Sequence, residues 1–362
     1  MKIIQILPIL AFGDAVGNDT RALADVLTEA GYNTKIYAEI IDDRIPKGTA
    51  LPYSKLGQVE ENDIIIYHLS TGHALNDKIR ELKGKKIIRY HNITPAHYFK
   101  NYDFELYKSC KEGLQFVKRM AKNVDYVLAD SEYNKQDLLS YGYTCRIEVL
   151  PILIPFADYD KKPNEKVMNR YQDDYVNILF TGRIAPNKKQ EDVIDAFYYY
   201  KKYINAKSRL FLVGTYPIES KYYAQLDAYV KNLGLEDVIF TGQVRFDEVL
   251  AYYRIADLFL CMSEHEGFCV PLIEAMYFDV PVLARNTSAI AGTLGGSGML
   301  LADNNSIIAA EMMNRILTDE ALRRRILYNQ SIRLKDFQHD KIKTQFLKII
   351  QSIEKDEEKN NK

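Results

Sequence analysis

The sequence ADLFLCMSEHEGFCVPLIEAM, residues 256–276, carries the pattern from which the fold is predicted. Its first seven residues are mostly apolar and have the length of a buried strand. From Pro271 onward, apolar side chains recur at helical spacing, and proline suits the first position of a helix. Gly267 lies between the two segments, where backbone without a side chain can approach a ligand closely. A strand, a turn and a helix are therefore predicted in this order.

Two glutamates flank the predicted turn. Glu266 lies in the turn and Glu274 lies one turn into the helix. Backbone N–H groups and the dipole at a helix N-terminus favour anions, phosphate in particular. The two carboxylates could then bind hydroxyl groups on either side of a phosphate, as a nucleotide-sugar would require. The alternative is structural, because glutamate in a first helical turn complements the dipole and turn carboxylates are commonly solvated.

The composition is that of a globular protein with large cores. The 362 residues are enough for two domains of about 150 residues each, and 47% of them are hydrophobic. A formal net charge of -1 argues against nucleic acid as a partner. The segment Met1–Leu7 is typical of a first strand rather than a secretory signal, and no stretch has the length of a membrane span. We therefore expect a cytoplasmic protein.

The cysteines form no C-x-x-C pair and have apolar neighbours. We expect reduced, packed thiols, with a metal or disulfide role as the alternative. The residues concerned are Cys110, Cys145, Cys261 and Cys269.

Strand-like and helix-like segments alternate through both halves of the chain. This alternation predicts two doubly wound α/β domains, whose ligands bind beyond the carboxyl ends of the strands in a cleft between them. We place the domains at residues 1–160 and 161–335, with a charged linker near 158–166. Residues 336–362 are predicted as a helix, packing back on the first domain, and a charged tail that frays from Glu354. In the second half, strands are expected at Val176–Thr181, Arg209–Val213, Val238–Thr241, Leu258–Met262, Val280–Ala284 and Met299–Leu301.

A basic loop follows the predicted strand at Val176. It reads TGRIAPNKK, residues 181–189, and precedes a helix. Arg183 and Lys188 could grip a diphosphate there, arginine through its fork and lysine as a point charge. A solvated basic loop is the alternative.

Together these stretches resemble the retaining glycosyltransferases of family 4, the glycosyl transferases group 1, which have the GT-B architecture. The match rests on Gly182-Arg183 followed by Lys188, on Glu266 and Glu274 as a Glu-x7-Glu pair, and on the surrounding Ser-x-x-Glu-Gly-Phe and Glu-Ala-Met. The resemblance is strong from Val176 to about Leu301 and loose in the first half. It implies two Rossmann-like domains facing a central cleft, an acceptor-side domain and then a nucleotide-sugar domain.

The resemblance also implies roles for residues of the second half. Arg183 and Lys188 would hold the donor's diphosphate and stabilise its charge as it departs, Glu266 would contact the sugar, and Glu274 the ribose. Transfer would retain the anomeric configuration without a side-chain nucleophile, and neither a metal nor another cofactor is expected. The remaining donor contacts that the resemblance implies are Gly182, Val244 at the base, and Gly267, Phe268, Cys269 and Val270 at the helix N-terminus.

In the first half the resemblance is carried by a glycine-containing loop and one histidine. Gly17 and Asn18 would face the donor phosphates, although a plain turn with a helix cap at Asn18 or Asp19 is the alternative. His91 ends a predicted buried strand and would reach the donor sugar, although a lone histidine is more often structural. His68 and His73 flank a short segment at the end of another strand and are candidates for the acceptor side.

The sequence departs from the family pattern in one place that affects the donor pocket. Ala291-Gly292 stands where the family often has Pro-Glu, so one carboxylate is missing. A basic stretch offers either peripheral contact with the inner face of a membrane or a solvated helix face. Its residues are Lys108, Lys111, Lys118, Arg119 and Lys122.

The predicted function is transfer of a hexose or deoxyhexose from a UDP- or GDP-linked donor to a glycan or lipid-linked acceptor in polysaccharide or glycoconjugate assembly. One alternative is a catalytically silent relative that binds glycans or a partner. A nicotinamide-dependent oxidoreductase is another, but the first strand is not followed by G-x-G-x-x-G.

Overall fold

The computed structural model describes residues 1–360, and side chains as far as residue 355. The chain forms two compact units. The first contains residues 1–96, 108–156 and the described residues from 336 onward, and the second contains residues 97–107 and 157–335. The chain thus changes unit at 156/157 rather than at the predicted 160/161, and residues 97–107, predicted in the first domain, group with the second. Asn361 and Lys362, at the end of the predicted tail, lie outside the described residues.

The first unit is built on seven parallel strands. All six residues of the strand Ile64–Leu69 are buried, as expected for a parallel sheet covered on both faces. The strands are β1 (Ile3–Leu10), β2 (Thr34–Ile41), β3 (Leu51–Pro52), β4 (Ile64–Leu69), β5 (Lys85–Tyr90), β6 (Tyr126–Ala129) and β7 (Arg146–Val149). Their spatial order is β3-β2-β1-β4-β5-β6-β7, so the winding reverses between β1 and β4.

Helices complete the first unit. The C-terminal helix places Ile342, Phe346 and Ile350 in the same buried cluster as Ile3 and Leu23. That helix continues to residue 360, beyond the point at which a frayed tail was expected. The helices are α1 (Ala15–Glu29), α2 (Leu75–Glu81), α3 (Phe104–Met120), α4 (Glu132–Ser140) and the C-terminal α14 (His339–Asn360), of which α3 begins in the second unit.

The second unit is built on six parallel strands. They are β8 (Val176–Thr181), β9 (Ser208–Val213), β10 (Val238–Gly242), β11 (Leu258–Cys261), β12 (Val282–Arg285) and β13 (Met299–Leu301). Their order is β10-β9-β8-β11-β12-β13, and the winding reverses between β8 and β11. The helices are α5 (Phe156–Tyr159, across the boundary), α6 (Glu165–Arg170), α7 (Gln190–Tyr203), α8 (Lys221–Asn232), α9 (Phe246–Ile255), α10 (Val270–Tyr277), α11 (Ile290–Leu294), α12 (Ser306–Thr318) and α13 (Glu320–Leu334).

Four local expectations from the sequence differ from the structure. Helix α1 begins at Ala15, so Gly17 and Asn18 lie in its first turn rather than in a loop before it. The cap is neither Asn18 nor Asp19 but Asp14, whose carboxylate accepts from the Gly17 N–H at 2.6 Å. The predicted linker contains the end of α5 and the start of α6, and Pro271 is the second rather than the first residue of α10.

The topology marks one position in each unit where ligands bind. In open parallel α/β sheets, ligands occupy the crevice beyond the carboxyl ends of the strands where the strand order reverses. These positions lie after β1 and β4 in the first unit and after β8 and β11 in the second. The predicted phosphate loop follows β8, and the Glu-x7-Glu segment follows β11. Among the described helices, none is long and apolar enough to cross a membrane.

Candidate active site

The loop after β8 is shaped by glycine backbone. Gly182 has φ +140, a conformation that residues with a side chain rarely adopt. A Cβ placed on Gly214 would lie 1.9 Å from the Gly182 carbonyl oxygen, so the two chain segments touch through backbone alone. The chain then turns through a 3-10 segment, Pro186–Lys188, into α7. Arg183 is exposed at the start of this loop, with its guanidinium carbon 6.0 Å from the centre of the Phe99 ring.

The loops after β8 and β11 meet in an ion pair. The Lys188 ammonium lies 2.6 and 2.7 Å from the two carboxylate oxygens of Glu266. The side chain of Glu266 is 8% exposed and that of Lys188 is 19% exposed, so solvent screens the pair only in part. Burial alone would lower the pKa of Lys188, but the charge and hydrogen bonds of Glu266, together with Cys269 and Cys261, outweigh burial and the pKa is raised. The two predicted donor residues are therefore in direct contact.

A second link between the loops comes from Asn187, which the sequence analysis did not single out. Its side-chain amide donates to the carbonyl of His265 at 3.1 Å. Its backbone carbonyl accepts from the N–H of Glu264 at 2.8 Å. The side chain is buried, and each of these bonds fixes the loop that carries Glu266. Because an asparagine within a basic loop has no distinctive pattern, only the fold reveals this role.

The segment after β12 also holds the Glu266 loop. Ser288 accepts from the Glu266 N–H at 2.8 Å, and the Thr287 hydroxyl donates to the Ser263 carbonyl at 2.5 Å. The Thr293 hydroxyl donates to the carbonyl of Phe268 at 2.5 Å. These hydroxyls lie around the Ala291-Gly292 departure from the family pattern. They fix the backbone of the Glu266 loop. They do not replace the carboxylate that the family often has at the position of Gly292.

Glu274 is paired with tyrosines. The hydroxyls of Tyr253 and Tyr159 donate to its two carboxylate oxygens at 2.7 and 2.9 Å. The Tyr253 hydroxyl also lies 2.5 Å from that of Thr181, at the end of β8. Burial raises the pKa of Glu274, while the two tyrosine hydrogen bonds oppose that rise. A carboxylate offers about four acceptor positions, so two tyrosine donors leave room for further hydroxyls.

The start of α10 places sulfur beside the ion pair. Cys269 precedes the helix with φ 74, the left-handed conformation that is uncommon for residues other than glycine. Sulfur atoms of Cys269 and Cys261 lie within 4.8 Å of each other and of a carboxylate oxygen of Glu266. Gly267 and Phe268 lie in the same loop, and Val270 is the first residue of α10. Burial lowers the pKa of the neighbouring His265 to about 4.

Val244 lies away from these loops in sequence, between β10 and α9. It is half-buried and packs against the apolar cluster that contains Tyr253 and Leu272. Its neighbour Arg245 precedes α9, and the Arg245 N–H donates to Glu248 at 2.9 Å. The contact of Val244 with a nucleotide base stays a prediction.

In the first unit, His91 follows β5 and takes part in a hydrogen-bonded chain. Its Nδ1 lies 2.9 Å from a carboxylate oxygen of Asp130, and its Nε2 lies 3.0 Å from Nδ1 of His68. The other nitrogen of His68 lies 2.9 Å from Gln5 Oε1. Burial, together with the charges of His91 and Arg89, holds the pKa of His68 well below its ordinary value. His68, whose own pKa is lowered, therefore orients the ring of His91 as a neutral partner.

The carboxylate that holds His91 is itself held by a buried arginine. Arg89 has no exposed surface and lies between Asp130, at 3.0 Å, and Asp19, at 2.8 Å. Asp19 also accepts from the Leu153 N–H at 2.8 Å.

The first turn of α1 lies close to the loop after β1. A Cβ on Gly17 would lie 2.7 Å from the carbonyl of Ala11, so a larger residue would push α1 away from that loop. Asn18 accepts from Arg21 at 2.6 Å.

Comparison with known proteins shows what the second unit is similar to. Residues 161–332 match the family model described as glycosyl transferases group 1. The second unit belongs to the glycosyl transferases group 1. The chain is 28% identical over 179 residues to a Campylobacter jejuni α-1,4-N-acetyl-D-galactosaminyltransferase, named for an acceptor carried on diphosphoundecaprenol; the match covers 49% of this chain and 48% of that enzyme. The chain thus spans about half of the length of this curated group 1 relative.

Solved structures match nearly the whole chain. Sucrose-phosphate synthase from Thermosynechococcus elongatus superposes with a TM-score of 0.76 at 18% identity, covering 98% of this chain and 99% of that one. Anabaena HepE in complex with UDP-glucose superposes with a TM-score of 0.72 at 18% identity, covering 97% and 100%. The predicted fold class is confirmed, since both units are parallel-sheet α/β domains of the kind found in GT-B glycosyltransferases.

A tyrosine-to-phenylalanine change at residue 253 tests how Glu274 is held. Tyr253→Phe removes one of two hydroxyls from a buried carboxylate, which should lower the free energy of unfolding by about 1–3 kcal/mol at pH 7. The folded-state pKa of Glu274 is already raised above its ordinary value of 4.5. The stability that Glu274 contributes is therefore complete below pH 4.5 and is lost as pH rises through the folded-state pKa. The variant raises that pKa further, and the deficit should therefore shrink as pH falls towards 4.5.

Urea unfolding at several pH values measures this effect. Tyr328→Phe, at a tyrosine that is 66% exposed, is the matched control and should change stability little. A deficit for Tyr253→Phe that does not vary with pH would show that the hydroxyl does not stabilise a charged Glu274.

Proposed function

We propose that the chain is a retaining glycosyltransferase. It moves a hexose or deoxyhexose from a UDP- or GDP-linked donor to a glycan or lipid-linked acceptor in polysaccharide or glycoconjugate assembly. The observation that carries the proposal is the Lys188–Glu266 ion pair, because it joins two family motifs at the position where the strand order of the second unit reverses. The group 1 match and the undecaprenol-linked acceptor named for the Campylobacter jejuni relative support the substrate class.

The chemistry explains why cations are needed at this position. Breaking the anomeric bond leaves an oxocarbenium-like sugar and adds negative charge to the departing diphosphate. Preorganised cations stabilise such developing charge more in the transition state than in the bound donor. The ammonium of Lys188 has three donors, and Glu266 uses two of them, so one remains for a phosphate oxygen. The exposed guanidinium of Arg183 supplies a fork for the same group.

The remaining donor contacts follow the family assignment. Glu266 accepts from sugar hydroxyls with its remaining lone pairs, and Glu274 accepts from the ribose while two tyrosines hold it. Val244 lines the base pocket. Gly182, the loop residues Gly267, Phe268 and Cys269, and the first helical residue Val270 surround the diphosphate.

The family assignment also gives roles to residues of the first unit. His91, oriented by Asp130 and His68, contacts the donor sugar. The first turn of α1, with Gly17 and Asn18, faces the phosphates. The acceptor attacks on the face from which the diphosphate leaves, and the diphosphate takes its proton. Neither a side-chain nucleophile nor a metal takes part in this scheme.

The place of work is part of the proposal. We assign the protein to the cytoplasm, where nucleotide-sugars are made, with peripheral contact at the inner face of the membrane. The support is the helix α3, which has an exposed basic face, while Phe116, Val117 and Met120 are buried. Five basic residues are exposed, four of them on the helix and one just after its end. The five are Lys108, Lys111, Lys118, Arg119 and Lys122.

Thermal shifts with UDP, GDP, ADP, dTDP and NAD test the donor class first. A ligand that binds only the folded state stabilises it by about 2.7 kcal/mol at a hundred times its dissociation constant. We expect one nucleoside diphosphate to raise the melting temperature. A shift with NAD alone would instead support an oxidoreductase. Binding of a nucleoside diphosphate without turnover of any nucleotide-sugar would support the silent relative.

Removing the cations should impair transfer more than folding. Arg183→Ala and Lys188→Ala should each lower kcat by about 10²–10³-fold, the usual effect of losing one group that stabilises developing charge. Lys188→Ala also leaves Glu266 without its partner, so the double variant Lys188→Met/Glu266→Gln serves as a folded comparison. The control is Lys207→Ala, an exposed lysine before β9. Steady-state kinetics with unchanged kcat in both single variants would remove the diphosphate assignment.

His91 should affect the sugar rather than the nucleotide. His91→Ala should slow transfer by about tenfold or more, because it removes one hydrogen bond to the donor sugar. The dissociation constant of the nucleoside diphosphate, measured by calorimetry, should stay within about twofold. His339→Ala, at an exposed histidine that begins α14, is the control. Lost nucleotide binding in His91→Ala would show that the histidine is structural.

A further inference from the structure

Two thiols and a carboxylate converge under the ion pair. Cys261 ends β11, Cys269 precedes α10, and Glu266 lies in the loop between them. Their two sulfur atoms and one carboxylate oxygen all lie within 4.8 Å of one another. All three residues are buried: Cys261 is 1% exposed, and Glu266 and Cys269 are each 7% exposed. The proposed transfer reaction uses the carboxylate but has no use for the sulfur atoms.

This donor set suits a thiophilic divalent cation. Zinc binds cysteine sulfur at about 2.3 Å and carboxylate oxygen at about 2.0–2.2 Å, so at tetrahedral angles two of its ligand atoms lie about 3.5–3.8 Å apart. Ligand atoms that all lie within 4.8 Å of one another reach this spacing if each pair closes by at most about 1.3 Å. Three protein ligands leave the fourth tetrahedral position for water. Thiolates select zinc and cadmium over magnesium and calcium, which prefer oxygen.

The scaffold holds the three ligands in place. Cys261 lies on a central strand, paired with Ala284 of β12. The loop to Cys269 is fixed by the bonds from Asn187 and Ser288 described above, and Cys269 has a left-handed backbone. Sites on fixed elements hold metals better than sites on free loops.

Charge favours the bound state. Binding displaces two thiol protons to solvent, and one dication with two thiolates and one carboxylate then carries a net charge of -1. The ammonium of Lys188, 2.6 Å from Glu266, offsets that charge. A carboxylate can bind a metal through one oxygen and keep the other for an ammonium. We propose that Cys261, Glu266 and Cys269 form an inhibitory site for Zn²⁺ or a similar thiophilic cation.

The other such group among the described residues is less suited. Asp19, His68 and His91 also bring ligand atoms within 4.8 Å. A metal there would compete with the fully buried Arg89 for Asp19 and with a bond at each ring nitrogen of His68. It would have to break a network that fills the interior of the first unit. The first group, by contrast, has to release only one Glu266 oxygen from Lys188 and the weak bond from Cys261 to Ser263.

Inhibition rests on the proposed function, whereas binding does not. A bound cation would hold Glu266 and, through it, Lys188, which withdraws both from the donor. The proposed transfer scheme uses no metal, so the cation would act as a brake and not as a cofactor. Such a site would make transfer sensitive to the free concentration of zinc.

Metal binding by the full-length protein is the test. Zn²⁺ is titrated in competition with a chromophoric chelator under a phosphine reductant, and Co²⁺ is used to detect thiolate-to-metal charge-transfer absorption. The wild type should bind one ion per chain, with the thiolate absorption. The single variants Cys261→Ser and Cys269→Ser, and the double variant Cys261→Ala/Cys269→Ala, should lose both signals. The control Cys145→Ser, at a half-buried cysteine of the first unit, should keep them.

Two results would overturn the site: no stoichiometric binding by the wild type, or binding that persists in the folded double variant. Thermal melting shows whether the variants fold, and the Cys→Ala pair avoids placing a hydroxyl in an apolar interior. A second measurement addresses inhibition, since Zn²⁺ should reduce transfer by the wild type and a chelator should restore it. Binding without inhibition would refute the brake, while an absence of transferase activity would leave the binding result standing and count against the proposed function alone.

Discussion

The contact between Lys188 and Glu266 is the interaction on which the second unit's site depends. A buried charge is tolerated only with a partner, and these two lie 78 positions apart in the sequence. Because β8 and β11 are neighbours in the sheet, the loops that follow them meet, and the pair fixes the distance between them. Asn187 and Ser288 then hold the backbone on each side of Glu266. Sheet topology, loop geometry and charge therefore lead to one arrangement.

The first unit solves a similar problem with the opposite arrangement of charges. Here a fully buried cation, Arg89, lies between two carboxylates, and one of these, Asp130, also contacts Nδ1 of His91. The burial of Arg89 would lower its pKa, but Asp130 and Asp19 outweigh burial and the pKa is raised. The arginine stays charged, so it holds Asp130 at the end of β6 as a fixed acceptor for the histidine. Neutral His68 completes the orientation of the ring from the other side.

The sequence predicted the sheets better than the helices and the motifs better than their supports. The strand Val176–Thr181 and the strand Met299–Leu301 match the prediction, because short apolar runs between loops have few alternatives in a parallel sheet. Helix α1 began earlier than predicted because Asp14 caps it, and a loop glycine and a first-turn glycine have the same local pattern. The tyrosines on Glu274 were not foreseen, since Tyr159 lies in a segment that reads as a linker.

The proposed function puts a carboxylate, that of Glu266, beside a diphosphate, which is electrostatically costly, and the contacts of Glu266 reduce that cost. The backbone of its loop accepts and donates hydrogen bonds on each side, so the side chain cannot swing freely away from Lys188. The ammonium bonds both of its oxygens and cancels much of its charge. In the proposed function, Glu266 would then offer its remaining lone pairs to neutral hydroxyls of the sugar, while the third donor of Lys188 would bind a phosphate oxygen. On that proposal, one ion pair separates the sugar side of the site from its phosphate side.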